Sequence, residues 1–551
     1  MIRWLFLLVL PVLLWADDHW VSIRSGPFEV LGNNGDRAAR DQMEQLEQFR
    51  QGLGVVLGKQ DLHLIWPLRV FVMKNSKQPV LLADLPLARD AYISVNPDRK
   101  ALARLLIDQN TQRLPIEIEN GIIELFSTLE VNGTRITLGA PVPSAERTRD
   151  WARMHLLTVN PAYSGRARVM ISNLEQGSEL DSAYKNAFEK TKGQIEKQVD
   201  DYVAAGVFGT TTLSGRALSR TRDLHVRQVE PDAAKLALAD VLLAGGSEGA
   251  AAAYNALHGS AAAEGLALIA LKNHKKQEAR QLFESAITSG GASARSYLEA
   301  GVLEPDDAKA NSYLQKAAEL NPLWSEPPYR LAQRETQLDR KAILLAKAAG
   351  LEPRNIEYWQ TLAQTYTAAN RFKDAQKAWG GAERAAATVQ EREHIRALRL
   401  QVQGERADFE AAERKRVAEE QARDLERVKN ASMADIHAAE DAARKKLNPD
   451  GAAPPKPEIW WSEEHPDATV AGTMQRVDCI GKRVKLVIHE EDGSTVQLLV
   501  RDPGKISLVN GGEKALACGP QKTVRNVSVG YNRKIDKRLG TTGEVVSIEF
   551  R

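Results

Sequence analysis

Cysteine is almost absent from these 551 residues; Cys479 and Cys518 are the only two. Two cysteines without a nearby histidine cannot supply the four ligands of a structural zinc site. In an exported chain they are expected to form one disulfide, closing a loop of about 40 residues. Histidine is also scarce. The ten histidines lie singly, none within four residues of another, and none occurs between His63 and His155. An excess of one charge is missing as well: 74 Lys and Arg stand against 72 Asp and Glu, a net +2. Nothing global therefore argues for nucleic acid or a membrane surface as partner. The apolar run at the start, Trp4 to Trp15, falls short of the roughly 20 residues that cross a bilayer. With Arg3 before it and Ala16 and Asp17 after it, the run reads as a cleaved secretory signal cut after Ala16. No cysteine adjoins the cut, so no lipoprotein anchor is expected.

What is present divides the chain. A signal peptide (1–16) precedes a mixed α/β region (17–228). In it "HWVSIRSGPFEVLG" and "IWPLRVFVM" are β-rich, and "DRAARDQMEQLEQFRQGL" between them has helical spacing. Alanine-rich helices follow (229–387), then a charged helical extension (388–447) with Glu410–Arg414 and Glu419–Arg423 as i, i+4 pairs. "NPDGAAPPKPE" opens a linker (448–467). Trp460 and Trp461 lie in it, placed to dock it onto a neighbouring domain or to form a partner site. A module of short strands with Asp-Gly and Asn-Gly turns (468–551) is expected to be a small β-barrel or sandwich closed by the disulfide.

The alanine-rich region repeats. Trp359, Leu362, Ala363, Tyr366, Ala375, Trp379 and Ala382 reproduce the tetratricopeptide spacing of large and small residues. Leu266, Ala267, Ala270, Ala279, Phe283 and Ala286 follow the same offsets, and Ala310, Leu314 and Ala317 with Pro322 match half a repeat. Ala342, Ala346, Ala349 and Pro353 approximate another, and a weak first repeat covers about 233–258. The alanines let paired helices approach, and the aromatics fill the gaps between them. Such pairs stack into an α-solenoid whose concave face takes extended peptides or partner helices.

The segment "NPDRKALARLLIDQNTQRLPIEIENGIIELFSTLEV" predicts two helices. Asn96 is placed as N-cap and Pro97 at the first helical position. Leu102, Leu105 and Leu106 form one apolar face. The second helix follows Pro115 with Ile118, Ile122, Leu125, Phe126 and Leu129 inward, and Asn132-Gly133 then turns a hairpin. From Leu114 to Gly139 this stretch resembles the secreted bacterial gluzincin-like peptidases, many of which carry C-terminal tetratricopeptide repeats. There an HExxH helix precedes a Pro-x-Trp-Leu-x-Glu-Gly-x-Ala-Glu helix; the histidines and the glutamate before glycine hold zinc, and the HExxH glutamate is the general base. The likeness extends more loosely over 20–200. It implies a zincin-like α+β domain, and it sets "KALAR" where HExxH belongs. Lys100 and Arg104 then take the histidine positions, and neither cation has a lone pair to give a metal. Ala101 replaces the base and Asn120 the third ligand, while Glu124 is kept. The vacated positions are expected to pair as ions, Lys100 or Arg104 with Glu119 or Glu124; the alternative is a cleft that still binds peptides without cutting them.

Other patterns carry less. "GGSEG" (245–249) matches the nucleophile elbow but follows a helix where the elbow needs a strand, so it reads as an inter-helix turn. "GLGVVLG" (52–58) has the wrong glycine spacing for a dinucleotide fingerprint. Lys482, Arg483, Lys485, Arg533, Lys534, Lys537 and Arg538 make the last module basic, but Tyr531 and Phe550 are too few aromatics for base stacking, so no nucleic acid is expected.

The sequence thus predicts a multidomain, mainly α, exported pseudo-peptidase without catalytic residues, metal or cofactor. It would act as an interaction scaffold that takes a protein or peptide in its repeat groove, with no transmembrane anchor after signal cleavage. A secreted hydrolase with an unrecognised site, or a structural component of a cell-envelope assembly, are the alternatives. Oligomeric state stays open.

Overall fold

The computed structural model describes residues 19–74, 85–95, 97–163, 165–447, 465–490, 492–510, 516–521 and 525–551. Residues 1–16, read from the sequence as a secretory signal, Asn96, Trp460 and Trp461 lie outside them. The chain forms two units, up to Arg423 and from Asp424 onward.

The first unit opens with a hairpin, β1 (Val21–Ser25) and β2 (Phe28–Gly32), and α1 (Gly35–Leu57) then crosses to β3 (Leu68–Val72) and β4 (Tyr92–Val95). β2, β3 and β4 pair in parallel, β1 antiparallel to β2. Helices α2 (Arg99–Asn110) and α3 (Ile116–Ser127) follow, then β5 (Glu130–Asn132) and β6 (Arg135–Leu138), and α4 (Arg149–Val159) to α7: α5 (Ala167–Glu175), α6 (Leu180–Phe188) and α7 (Lys192–Ala205). β7 (Thr211–Ser214) pairs with β6, and β8 (Arg227–Gln228) returns to β1, giving the order β4-β3-β2-β1-β8.

Strand alternation divides the sheet's two faces. Val21, Ile23, Phe28, Val30, Leu68 and Val70 meet α1, α2 and α3 in one core. Leu31, Phe71, Ile93 and Val95 meet Ala234, Ala237, Leu238 and Val241 in another. Those last four belong to α8 (Pro231–Ala244), so the first alanine-rich helix also covers the sheet. The same alternation puts the register partners Glu29 and Arg69, out of phase with Phe28 and Leu68, on the α8 side.

The α2–α3 helical hairpin forms as its apolar spacing predicts, with one correction. The N-cap is Asp98, whose carboxylate accepts from Lys100 N and Ala101 N at 3.2 Å, and the helix starts at Arg99, not Pro97. A carboxylate two residues later simply satisfies two of the free N–H groups directly. Asn132 pairs with Arg135 in β5–β6, and Gly133, at φ 59°, supplies the left-handed turn residue.

Antiparallel helix pairs run onward from α8. They are α9 (Gly249–Asn255), α10 (Ser260–Lys272) with α11 (Lys276–Thr288), α12 (Ala294–Leu303) with α13 (Asp307–Leu320), α14 (Glu326–Arg334) with α15 (Leu338–Leu351), and α16 (Ile356–Ala368) with α17 (Phe372–Ala385). Ala267, Ala279, Phe283, Ala286, Ala310, Leu314, Ala317, Leu362, Ala363, Ala375, Trp379 and Ala382 are all buried. A Cβ at Gly381 would meet the Trp359 ring at 2.5 Å, so the large residue of one helix sits where its partner has no side chain. This is tetratricopeptide-type packing. "GGSEG" falls between α8 and α9, as a turn.

Helix α18 (Val389–Leu447) continues from the array. Its Glu410 pairs with Arg406 at 2.7 Å and Glu419 with Lys415 at 3.9 Å, each four residues back rather than forward to Arg414 and Arg423. Arg406 is half-buried and Lys415 exposed, each within about one turn of its carboxylate, so either partner satisfies it at little difference in energy.

The second unit holds β9 (Ala468–Ile480), β10 (Arg483–Glu490), β11 (Thr495–Val500), β12 (Ser507–Val509), β13 (Gly519–Pro520), β14 (Asn526–Asn532) and β15 (Gly543–Phe550). β9 pairs with β10, β10 with β11, β11 in parallel with β15, β15 with β14, and β14 with β9. Val484, Leu486, Ile488, Val527, Val529 and Ile548 point into one core. Cys479 and Cys518 are bonded, with Cα atoms 5.6 Å apart.

Candidate functional site

The residues matched to the peptidase positions do not converge. Lys100 and Arg104 are exposed on α2 and make no ion pair among the described residues. Glu124 accepts a short hydrogen bond from the Thr148 hydroxyl, and Glu119 is taken by the repeat array. The expected pairing of Lys100 or Arg104 with Glu119 or Glu124 is therefore corrected. α2 turns its cations outward because Leu102, Ala103, Leu106 and Ile107 claim the inner face. Among the described residues no group of three His, Cys, Asp or Glu could hold a metal ion.

What Glu119 does instead is more informative. Arg354, in the connection between α15 and α16, reaches into the α2–α3 hairpin. Its Nη2 donates to Glu119 Oε1 and Thr111 Oγ1 at 2.7 Å, its Nη1 to Asp108 Oδ1 at 2.6 Å, and its Nε to the Thr111 carbonyl at 3.0 Å. Glu119 Oε1 also accepts from Leu114 N at 2.8 Å. Burial, partly offset by Arg354, raises Asp108 above the usual carboxylate range. A guanidinium fork fits four acceptors that an ammonium cannot span. Arg354→Lys is expected to cost about 1–2 kcal/mol, read as a lowered urea midpoint with faster hydrogen exchange in α3.

Similar ties recur along the array. Trp324 packs edge-to-face on Trp66, ring centroids 4.9 Å apart. Asn321 donates to the Ile65 carbonyl at 2.9 Å, and the Ala385 carbonyl accepts from Arg113 at 2.9 Å. Arg295 donates to the Ala88 carbonyl. These partners sit in inter-helix connections or at helix ends. At the other end a buried ion network joins sheet and array. Arg69 bridges Glu29 at 2.7 Å and Asp240 at 2.8 Å. Arg89 bonds Asp240 at 2.9 Å and lies 3.5 Å from Glu264, while Tyr254 donates to Asp240 at 2.6 Å. Asp240 is fully buried and Glu264 nearly so.

The first helices of successive pairs stand side by side and are cross-bonded. Tyr329 of α14 donates to Glu357 of α16, and Tyr358 of α16 donates back to Glu326 of α14 at 2.7 Å, with the two rings 4.5 Å apart. Burial, and next to it the neighbouring carboxylates, hold the Tyr358 hydroxyl above its ordinary range. Glu299 of α12 is raised by burial and faces Arg295, Arg330 and Glu326. Gln333 and Gln364, equivalent positions in adjacent pairs, are exposed one turn further along.

No family model matches this sequence, and no curated protein sequence matches it. Solved structures do resemble parts of it. YrrB, described as a TPR protein with an unusual peptide-binding site, aligns at 20% identity over 30% of this chain and 90% of its own, TM-score 0.26. MamA aligns at 19% identity over 29% of this chain and 96% of its own, TM-score 0.25. Part of a TPR repeat-containing protein from Cytophaga hutchinsonii aligns at 13% over 31% of this chain and 71% of its own, TM-score 0.28. The repeat assignment rests on the chain's own spacing and packing.

Proposed function

We propose that the chain is a non-catalytic, exported interaction scaffold that takes a protein or peptide partner along the first-helix face of its repeat array. One observation carries the reading. The cross-bonds Tyr329–Glu357 and Tyr358–Glu326 hold α14 and α16 in fixed register, so a partner meets a preorganised surface. In this reading the N-terminal region keeps a gluzincin-like frame whose zinc ligands are replaced at Lys100, Arg104 and Asn120. It clamps the array by its connections and leaves the face of Gln333 and Gln364 to the partner. The 468–551 module, read as a small β-barrel from its ring of paired strands, is an accessory domain.

The test is cross-linking capture from periplasmic extract by the full chain. Gln333→Lys with Gln364→Lys is expected to reduce capture of the same partner about tenfold, the effect of one interface contact of ordinary size, while Lys415→Glu on α18 leaves it unchanged. Equal capture by both variants refutes the face. Zinc at about one equivalent in the purified chain, the occupancy of an intact catalytic centre, refutes the pseudo-peptidase reading.

A further inference from the structure

A cleft of about 520 Å³ opens between the start of α3, the α5–α6 connection and the α17–α18 corner. It is separate from the first-helix face. Its carboxylates are mostly spoken for. Glu383 is bridged by Arg396 at 2.7 Å and Arg399 at 2.8 Å, Glu117 by Lys192 at 3.4 Å, and Glu119 by Arg354. Glu179 stands exposed, 3.6 Å from Arg396. Two further guanidinium groups line the cleft, Arg384 and Arg392, and neither has an ion pair or side-chain hydrogen bond among the described residues. The Arg384 stem is held in place: a Cβ at Gly177, which sits at φ 89°, would lie 3.1 Å from its Cδ. Beside these charges the wall is aliphatic. Ile116 is 62% exposed and Val389 68%, with Leu114 and Leu180 between. No aromatic ring lines the cleft.

We propose that this cleft binds the carboxyl terminus of a peptide with aliphatic last residues. The chemistry follows from the pairing. Unpaired guanidinium forks seek a planar anion and take a carboxylate in two parallel hydrogen bonds. An aliphatic wall alongside favours the side chain next to that carboxylate, and its exposed Ile116 and Val389 gain by being covered. A nucleotide or nucleic acid would leave its bases unstacked, since stacking needs an aromatic platform. The volume lies within the range of ligand clefts and accommodates a short chain end rather than a folded surface.

The experiment is calorimetric titration of the full chain with a hexapeptide ending in Leu-Leu as free acid, against the same peptide amidated and against inorganic phosphate. The acid is expected to bind about tenfold or more tightly than the amide, and Arg384→Gln with Arg392→Gln to lose a similar factor. Both arginines lack side-chain partners among the described residues, so the variants are expected to melt like the parent; Arg384→Gln alone serves if the pair does not. Gln333→Lys leaves this binding untouched, so failure here and failure of the first-helix face are told apart. The proposal is overturned by equal binding of acid and amide, by undiminished binding in the double variant, by no binding of either peptide, or by phosphate matching the acid, which would make the cleft a small-anion site.

Discussion

Arg89→Ala is expected to lower the stability of the first unit by about 3–5 kcal/mol, because it leaves the buried Glu264 without its ion partner and takes from the buried Asp240 one of the two guanidinium groups that bridge it, the other being Arg69. Asp240 is wholly buried and Glu264 nearly so, and Arg89 reaches both. Burial already holds Glu264 above the ordinary carboxylate range, with Arg89 pulling the other way. Removing that pull raises the Glu264 carboxyl further above its unfolded value. The variant's deficit is therefore full at neutral pH and shrinks as pH falls through the raised folded value of Glu264, where protonation removes the stranded charge. Tryptophan emission in urea, at pH 7 and again near pH 5, reads this directly. Trp20, Trp66, Trp151, Trp324, Trp359 and Trp379 all lie in this unit. A shift below about 1 kcal/mol at pH 7, the scale of a surface ion pair, would show the network to be solvated. A deficit that grows on acidification would reverse its sign.

Replacing Cys479 and Cys518 by Ser is expected to cost the second unit about 4 kcal/mol in the chain-entropy account, since the bridge spans 39 residues of separation. The strand ring has a small apolar core of valines, isoleucines and leucines, and a module of this size has little stability to spare. Hydrogen exchange of β9 and β14 amides, with and without reductant, separates this unit from the first. Protection lost in both strands while α16 and α17 stay protected is the expected pattern. Unchanged exchange would mean that the strand core alone suffices.

The repeats were legible because alternating large and small residues impose a spacing that only paired helices satisfy. Trp359 and Ala363 on one helix, with Ala375 and Trp379 on the next, are enough to define the pair. The α2–α3 hairpin was legible for the same reason, through Leu102, Leu106, Ile118 and Ile122. Charge was not legible. Asp240 and Glu264 lie 151 and 175 residues beyond Arg89, and no local spacing around any of the three points to the other two. Arg354 follows a proline between two helices, where a solvated turn is the default reading. Nor could the spacing reveal that α8 has two jobs. Ala234, Ala237 and Leu238 suit a repeat helix and a sheet cover alike, and only the sheet's outer face, Leu31, Phe71 and Ile93, decides that it is both. The cleft at Arg384 was invisible because it arises where three distant connections meet.

The Arg354 fork also sets an order of events in time. Its acceptor at Thr111 lies 243 residues earlier in the chain, and the sheet's charged face waits for Asp240, 171 residues beyond Arg69. A ribosome adding about 5–20 residues per second leaves the N-terminal region without its last partners for about ten seconds or more. During that interval Arg69 has Glu29 and Asp90 but not Asp240, and Leu31, Phe71 and Ile93 stay uncovered. Contacts of such long range are slow to close. The N-terminal region is therefore completed last although it is made first, and until the array arrives it remains a partly open chain rather than a finished domain.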